Sequence, residues 1–466
     1  MHGNWRIFPK GRKPAGASFR TARDGTRDTA VVRPCSRRGA SLAEHASMIA
    51  DADRRGETER SGPVSGAGEG GRRWRAATAW GPGLLAAIAD TDAGNIVVAA
   101  QCGMQWGYRL LPVVLLSIPV LHVVQELAAR LGITTGHGPC GLIGKHFGRG
   151  WAILAAAMLA LVTAATLITE LTAVAGIGEI HGVARGISVA MAAALMTLLV
   201  LSRSWRRVER IALAIGSLEL AFLYLAWRSH PALGTLARQA IDWHPAGPGF
   251  GWAAVALLGA IFSPSMVFYQ QSAMTGRFRR WDALRQQRRE TLVGAVLTQL
   301  LTGAVMVASA AVAQGTGGSR PLDSIADISA MLASALGPVV GQAVFGAGVL
   351  AASMVAAIVA SLAMLSGTRE CFGLHGKPRS PAPVALYLAC LAACAWFVWR
   401  APDLVSLTMD IQVATALTLP FIFIAFARLA VIALPPALRL SRPRRLVILT
   451  IPALACLLAV MACLAP

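Results

Sequence analysis

Ala89-Asp90-Thr91-Asp92-Ala93-Gly94-Asn95-Ile96 sets two carboxylates, a glycine and an amide in the middle of an apolar run from about Trp80 to Cys102. At ~1.5 Å rise per residue a run of that length crosses a bilayer. An ionisable side chain inside a membrane span is costly unless it meets a partner, a cavity or an ion, so the stretch reads as a functional site. Gly94 weakens the helix beside the charge, and freed backbone carbonyls together with an Asp and an Asn gather hard oxygen donors at one point. The expectation is a broken transmembrane helix that holds a cation.

The rest of the chain agrees with a membrane setting. Of 466 residues 55% are apolar and 14% charged, and the mean hydropathy is +0.57, too apolar for an ordinary soluble domain. The net charge of +20 does not point to nucleic acid: +8 of it lies before Ala76, in a tail without an aromatic and basic pattern, and the remainder falls mostly between apolar runs. Eight cysteines, at 35, 102, 140, 371, 390, 394, 456 and 463, show no CxxC and no Cys/His spacing, which argues against a zinc site or a disulfide framework. Walker, GxSxG and HExxH patterns are absent, so ATP-driven transport and familiar hydrolase chemistry lack support.

Residues 1–76 are rich in Arg, Gly, Ser and Ala and cannot bury a core, so they are expected to form a disordered basic tail on the cytoplasmic side. A start site placed too far upstream is the alternative for that segment. Residues 77–466 form the transmembrane domain. They contain about eleven apolar spans, near 78–102, 109–131, 151–177, 185–202, 209–228, 250–274, 290–314, 338–366, 383–399, 404–432 and 444–465. One set of alternate loops collects most of the Lys and Arg, including Arg203, Arg206, Arg207 and Arg210, then Arg277 to Arg289, then Arg439 to Arg445. The positive-inside bias places that set and the N-terminus in the cytoplasm and the C-terminus outside. The amphipathic stretch 321–335 reads as a helix lying at the outer surface.

A second interruption falls in the sixth span, at Ser263-Pro264-Ser265. Proline removes a backbone donor and leaves carbonyls near Ala260 without helical partners. A simple proline kink is the plain alternative. Broken spans at corresponding places in two halves of five, however, are the pattern of an inverted-repeat transporter with its site at the midplane. The tenth span adds Asp410, Gln412, Thr415 and Thr418 ahead of Pro420. Gln412 is a neutral oxygen donor that can close around a cation held by Asp92 and Asn95, with an interhelical hydrogen bond as the bland reading of these polar groups. Glu170, flanked by apolar residues, must pair, take a proton or line a wet path. Gln125 and Glu219 are further polar residues inside spans; Glu126 is expected to pair with Arg130, and His122 to be a packed histidine.

Gly81-Pro82-Gly83-Leu84-Leu85, Asp92-Ala93-Gly94-Asn95, Gln105-Trp106-Gly107-Tyr108, the run from Gln125 to Gly136, Arg207-Val208-Glu209-Arg210 and Leu419-Pro420-Phe421 occur in that order. The series resembles the Nramp family of divalent metal transporters over nearly everything after the tail. The resemblance implies an all-α membrane protein of about 11 transmembrane helices, a LeuT-like 5+5 inverted repeat with broken helices 1 and 6. It implies import of divalent ions by alternating access. The positions matching the family's metal ligands are Asp92, Asn95, the Ala260 carbonyl and Gln412, and Ser263 would add a hydroxyl or water contact. Asp90, Glu170, Gln270 and Thr415 are placed around them or along the pathway, Asp90 behind the ligands or at the entrance.

Two departures from the family pattern matter. Its DPGN is here Asp92-Ala93-Gly94-Asn95, and its MPH in the sixth helix is Ser263-Pro264-Ser265. Losing the methionine removes a soft sulfur that favours transition metals. Losing the histidine removes a proton carrier, and the second histidine of that helix is Gln270, which argues against proton coupling. These changes resemble the Nramp-related branch that includes magnesium transporters, and an all-oxygen site suits Mg2+ or Mn2+, with Fe2+ a further possibility. The expected protein is thus an inner-membrane transporter, not an enzyme. Its partners are a divalent cation as substrate and the lipid bilayer; no cofactor is expected, and nothing in the sequence specifies an oligomeric state. The rivals are a LeuT-fold symporter of an organic solute, a passive channel, and a membrane-embedded enzyme using intramembrane carboxylates.

Overall fold

The computed structural model describes residues 81–202, 205–242, 249–275, 281–316, 322–374, 380–400 and 405–450. The expected tail, 1–76, lies outside them. The described residues are helical and contain no strand. A broken first span, α1 (Pro82–Ile88) and α2 (Ala93–Trp106), bends by 43° at the break. It is followed by α3 (Leu111–Thr135), the short α4 (Pro139–Phe147), α5 (Arg149–Ile180) and α6 (Arg185–Val200). The fifth span is α7 (Trp205–Gly216), a 3-10 turn (Ser217–Leu220) and α8 (Ala221–Arg228), with the short α9 (Leu233–Ile241) after it.

The second half begins with α10 (Phe250–Ile261) and α11 (Pro264–Met274), then α12 (Trp281–Thr316). The short α13 (Ile325–Leu336) follows, then α14 (Phe345–Cys371), α15 (Pro381–Arg400) and α16 (Val405–Ile432). Nine of the expected spans are long and apolar enough to cross a membrane when α1 and α2 count as one. The expected span 185–202 is the 16-residue α6, which is apolar but shorter. The expected span 444–465 is helical from 442 to 450 and then leaves the described residues. The second break is shallower than the first, and α10 with α11 runs as one span from Phe250 to Met274.

Side-chain size sorts these helices into inner and outer. α14 is dense in Ala, Gly and Ser, which let backbones approach closely on every side. It packs against α5, α7, α11 and α4, and 89% of its apolar window is buried, against 28% for α15. α2, α10 and α11 are buried along nearly their whole length. Leu116, Trp151, Leu161, Met191 and Leu198 point outward instead, the apolar surface that lipid requires. The expected stretch 321–335 falls largely on α13 (Ile325–Leu336), opened by a capping box between Ser324 and Asp327. Ile325, Ile328, Ser329 and Leu332 make its buried stripe, as the amphipathic pattern requires.

Candidate metal-binding site

The first break is built by local hydrogen bonds. α1 ends as the N–H groups of Asp90 and Thr91 turn back to the carbonyls of Ala87 and Ile88, at 3.0 and 2.9 Å. Asp92 then adopts extended backbone and N-caps α2, its Oδ1 accepting the Asn95 N–H at 2.7 Å. The break therefore lies at 89–92, before Gly94, which corrects the expectation that Gly94 weakens the helix there. Gly94 is instead needed for a close approach: a Cβ on it would overlap Gln412 Nε2 and stand 3.2 Å from Asp92 Oδ1.

Asn95 shows what the break leaves open. Its Nδ2 donates to the Asp90 carbonyl at 2.9 Å, which turns Oδ1 away, and that oxygen is buried without a hydrogen-bond partner. A buried acceptor left alone is costly and marks a place for a cation or an ordered water. Asp92 Oδ1 and the Gln412 amide meet over Gly94, beside it in sequence. Gln412 Nε2 faces Gly94, and a half-turn of the amide presents its oxygen there instead.

The second break supplies carbonyls. Phe262 closes the last α10 hydrogen bond, to Leu258 at 3.1 Å. The residue four after Ala260 is Pro264, which has no N–H to offer its carbonyl. α10 also grips Gln412 from behind, because a Cβ on Gly259 would overlap the Gln412 carbonyl oxygen. Gln412 is thus wedged between Gly259 of α10 and Gly94 of α2, which brings Asp92, Asn95, Gln412 and the end of α10 at Ala260 together. Ser263 is buried, and its hydroxyl is engaged with Ser265 Oγ at 2.8 Å.

Around this centre, Asp90 accepts from Gln125 Nε2 of α3 at 2.7 Å and is 1% exposed. Glu170 of α5 accepts the Ala93 N–H at 3.1 Å, so the carboxylate caps the start of α2 from a residue 77 positions away. Gln270 is fully buried with both ends of its amide unpartnered. Thr415 takes the bland role in its own helix, donating to the Ile411 carbonyl at 2.9 Å. Glu126 pairs with Arg130 as expected, and His122 Nδ1 lies 3.1 Å from Thr291 Oγ1. Among the described residues no three acidic, His or Cys side chains converge to hold a metal. A cation here would rest on one carboxylate with amide and backbone oxygens.

Two acids outside the expected set fix helix ends. Glu290 of α12 lies over the N–H groups of Gly81 and Gly83 at the start of α1 and accepts from Gln286 and Gln287 at 2.8 and 3.0 Å. Glu370 of α14 accepts the Gly141 N–H of α4 at 3.0 Å and the Ser272 hydroxyl of α11 at 3.1 Å. Their signal in the sequence is an acid at the end of an apolar span, which a solvated helix end also shows.

Residues 83–465 match the family model described as natural resistance-associated macrophage protein-like, Nramp. The chain belongs to the Nramp family. Its relatives include the divalent metal cation transporter MntH of Chromohalobacter salexigens, 27% identical over 311 residues, 62% of this chain and 70% of that one. MntH of Brucella suis biovar 1 is 24% identical over 364 residues, 74% and 79% of the two chains. Among solved structures, an Eremococcus coleocola manganese transporter matches with a TM-score of 0.70 at 19% identity, covering 86% of this chain and 89% of the other. MhsT in complex with L-phenylalanine matches at 0.51 and 16% identity, over 82% of this Nramp chain and 98% of its own. The fold is accordingly the LeuT-like inverted repeat with helices 1 and 6 broken. Nramp proteins are transporters, so the enzyme reading falls away.

Proposed function

We propose that this Nramp protein imports a divalent cation, Mn2+ or Mg2+, by alternating access across the cytoplasmic (inner) membrane. The observation that carries the reading is the unpartnered Asn95 Oδ1 beside the Asp92 N-cap, with Gln412 wedged against Gly94 between them in sequence. Asp92 supplies the charge; Asn95, Gln412 and the Ala260 carbonyl supply neutral oxygens; Ser263 contributes through its hydroxyl or a water. The MntH names support a divalent metal as cargo. With serine on either side of Pro264, no sulfur enters that donor set, which favours hard ions and keeps Mg2+ beside Mn2+, with Fe2+ third. The loops rich in Arg support an N-terminus inside and a C-terminus outside.

The test is uptake of Mn2+ and Mg2+ into proteoliposomes. Asp92→Ala is expected to abolish uptake while the protein still folds, because a cap at a helix start is worth only about 0.5–2 kcal/mol. Unchanged uptake would refute the site.

A further inference from the structure

α4, the start of α5 and the last turns of α16 pack together and leave a groove of about 270 Å³ between them. Its lining is apolar but for one group. Ile143 and Phe147 come from one face of α4 and Trp151 from α5, while Phe421, Ile424 and Arg428 make one stripe along α16. The Trp151 and Phe421 rings stack at 5.8 Å with their planes 16° apart, which gives the groove a flat floor. Trp151 and Ile424 nevertheless remain 52% and 51% exposed. On a helix bundle in a bilayer, hydrocarbon fills such a hollow.

Charge decides which lipid the hollow suits. The basic residues of these three helices are Lys145, Arg149 and Arg428, all at this end and all exposed. Their acids lie elsewhere. Asp410 comes 18 residues before Arg428, about 27 Å along the helix, and Glu170 is 19 residues beyond Trp151. Glu179 pairs with Arg185. On the neighbouring helices, Glu126 is bound to Arg130, and Glu370 to the Gly141 N–H and the Ser272 hydroxyl. Among the described residues Arg428 makes no hydrogen bond or ion pair. Its guanidinium therefore has its full set of donors free, in the fork that matches phosphate. Seven residues, about 10 Å along α16, separate it from Phe421. A headgroup layer is about 5–8 Å deep on each side of the hydrocarbon, so the ring reaches acyl chain when the guanidinium stands at the phosphates.

We propose that this groove is a binding site for one anionic phospholipid, which bridges α16 to α4 and α5. Its phosphate rests on Arg428 and one acyl chain lies along Trp151 and Phe421. Basic pockets between transmembrane helices recognise lipid head groups by the same combination. The site is separate from the break at Asp92 and does not depend on the metal reading.

The test uses the full chain in phosphatidylcholine nanodiscs with increasing phosphatidylglycerol, one of the two lipids at a time carrying brominated chains that quench tryptophan. The chain has 12 tryptophans, so the Trp151 signal is the difference between the parent and Trp151→Phe. Phosphatidylglycerol is expected to bind beside Trp151 about fivefold more tightly than phosphatidylcholine, the value of one cation near a membrane surface. Arg428→Gln should abolish that preference, with Arg428→Met in its place if the first variant fails to fold. Arg400→Gln, which removes a charge from the end of α15 outside the groove, should leave the preference intact. Equal quenching by the two lipids in the parent, or a preference that survives loss of Arg428, would overturn the proposal. Displacement by soluble glycerol phosphate would also overturn it, making the groove a site for a free anion. Absence of Trp151 quenching by either lipid would do the same, because protein from a second copy would then cover the groove.

Discussion

Replacing Gly94 with alanine should separate metal affinity from folding. A Cβ there overlaps the Gln412 amide, which is the far end of a flexible side chain and can swing aside. α2 keeps its place, because alanine is at least as good a helix former as glycine. Moving Gln412 withdraws one neutral oxygen from the divalent charge. Taking the value of a hydrogen bond to a charged group, that loss is about 1.5–3 kcal/mol. At tenfold per 1.4 kcal/mol, KM for Mn2+ should rise roughly 10- to 150-fold with no fall in Tm. Gly259→Ala is the control. Its Cβ would meet backbone, the Gln412 carbonyl and the Ala416 nitrogen at 3.0 Å, which no rotamer relieves, so α10 and α16 must part. Overpacking of that kind costs about 1–3 kcal/mol of stability. The assay is initial Mn2+ uptake in proteoliposomes beside thermal unfolding of the purified proteins. An unchanged KM in Gly94→Ala, or a fall in its Tm as large as that of Gly259→Ala, would refute the assigned position of Gln412.

Glu290→Ala removes the carboxylate over the first turn of α1, an interaction of about 0.3–1 kcal/mol for an acid at a helix N-terminus. A cysteine placed by Leu84→Cys should then label faster than in the parent protein, and equal labelling rates would show that Glu290 does not hold α1. Glu370→Ala leaves the Gly141 N–H and the Ser272 hydroxyl without their acceptor. Stability should fall by about 1–3 kcal/mol in thermal unfolding, and an unchanged Tm would show that the contact holds nothing together.

The spans and the buried acids are legible in the sequence because each depends on neighbours in the chain. An apolar run long enough for a bilayer, interrupted by Asp92 or by Pro264, carries its meaning locally. The partners of those interruptions do not. Gln125 reaches Asp90 across 35 residues and Glu170 reaches Ala93 across 77. Helical periodicity assigns a side chain to a face, but it does not say which two faces meet. Glu170 therefore reads only as an acid that needs a partner, and Glu290 and Glu370, at helix ends, read as solvated until the packing shows what they cover.

The glycines show the same limit. Gly94 and Gly259 both sit in broken helices, and a glycine there suggests weak helix. Neither marks a break: each lies where a Cβ would strike Gln412, on its side chain in one case and on its backbone in the other. The breaks are written by helix-start signals. Asp92 caps α2, and Ser263 precedes Pro264 at the first position of α11, where a missing N–H costs nothing. Both second half-helices thus begin with a capping-type residue inside an apolar run, and each break sets the end of one half-helix against the fixed N-terminus of the next. Gln412 closes the gap between them only because glycine stands at both contacts. A variant that keeps Asp92 and Asn95 but fills Gly94 tests that arrangement more narrowly than removal of a ligand does.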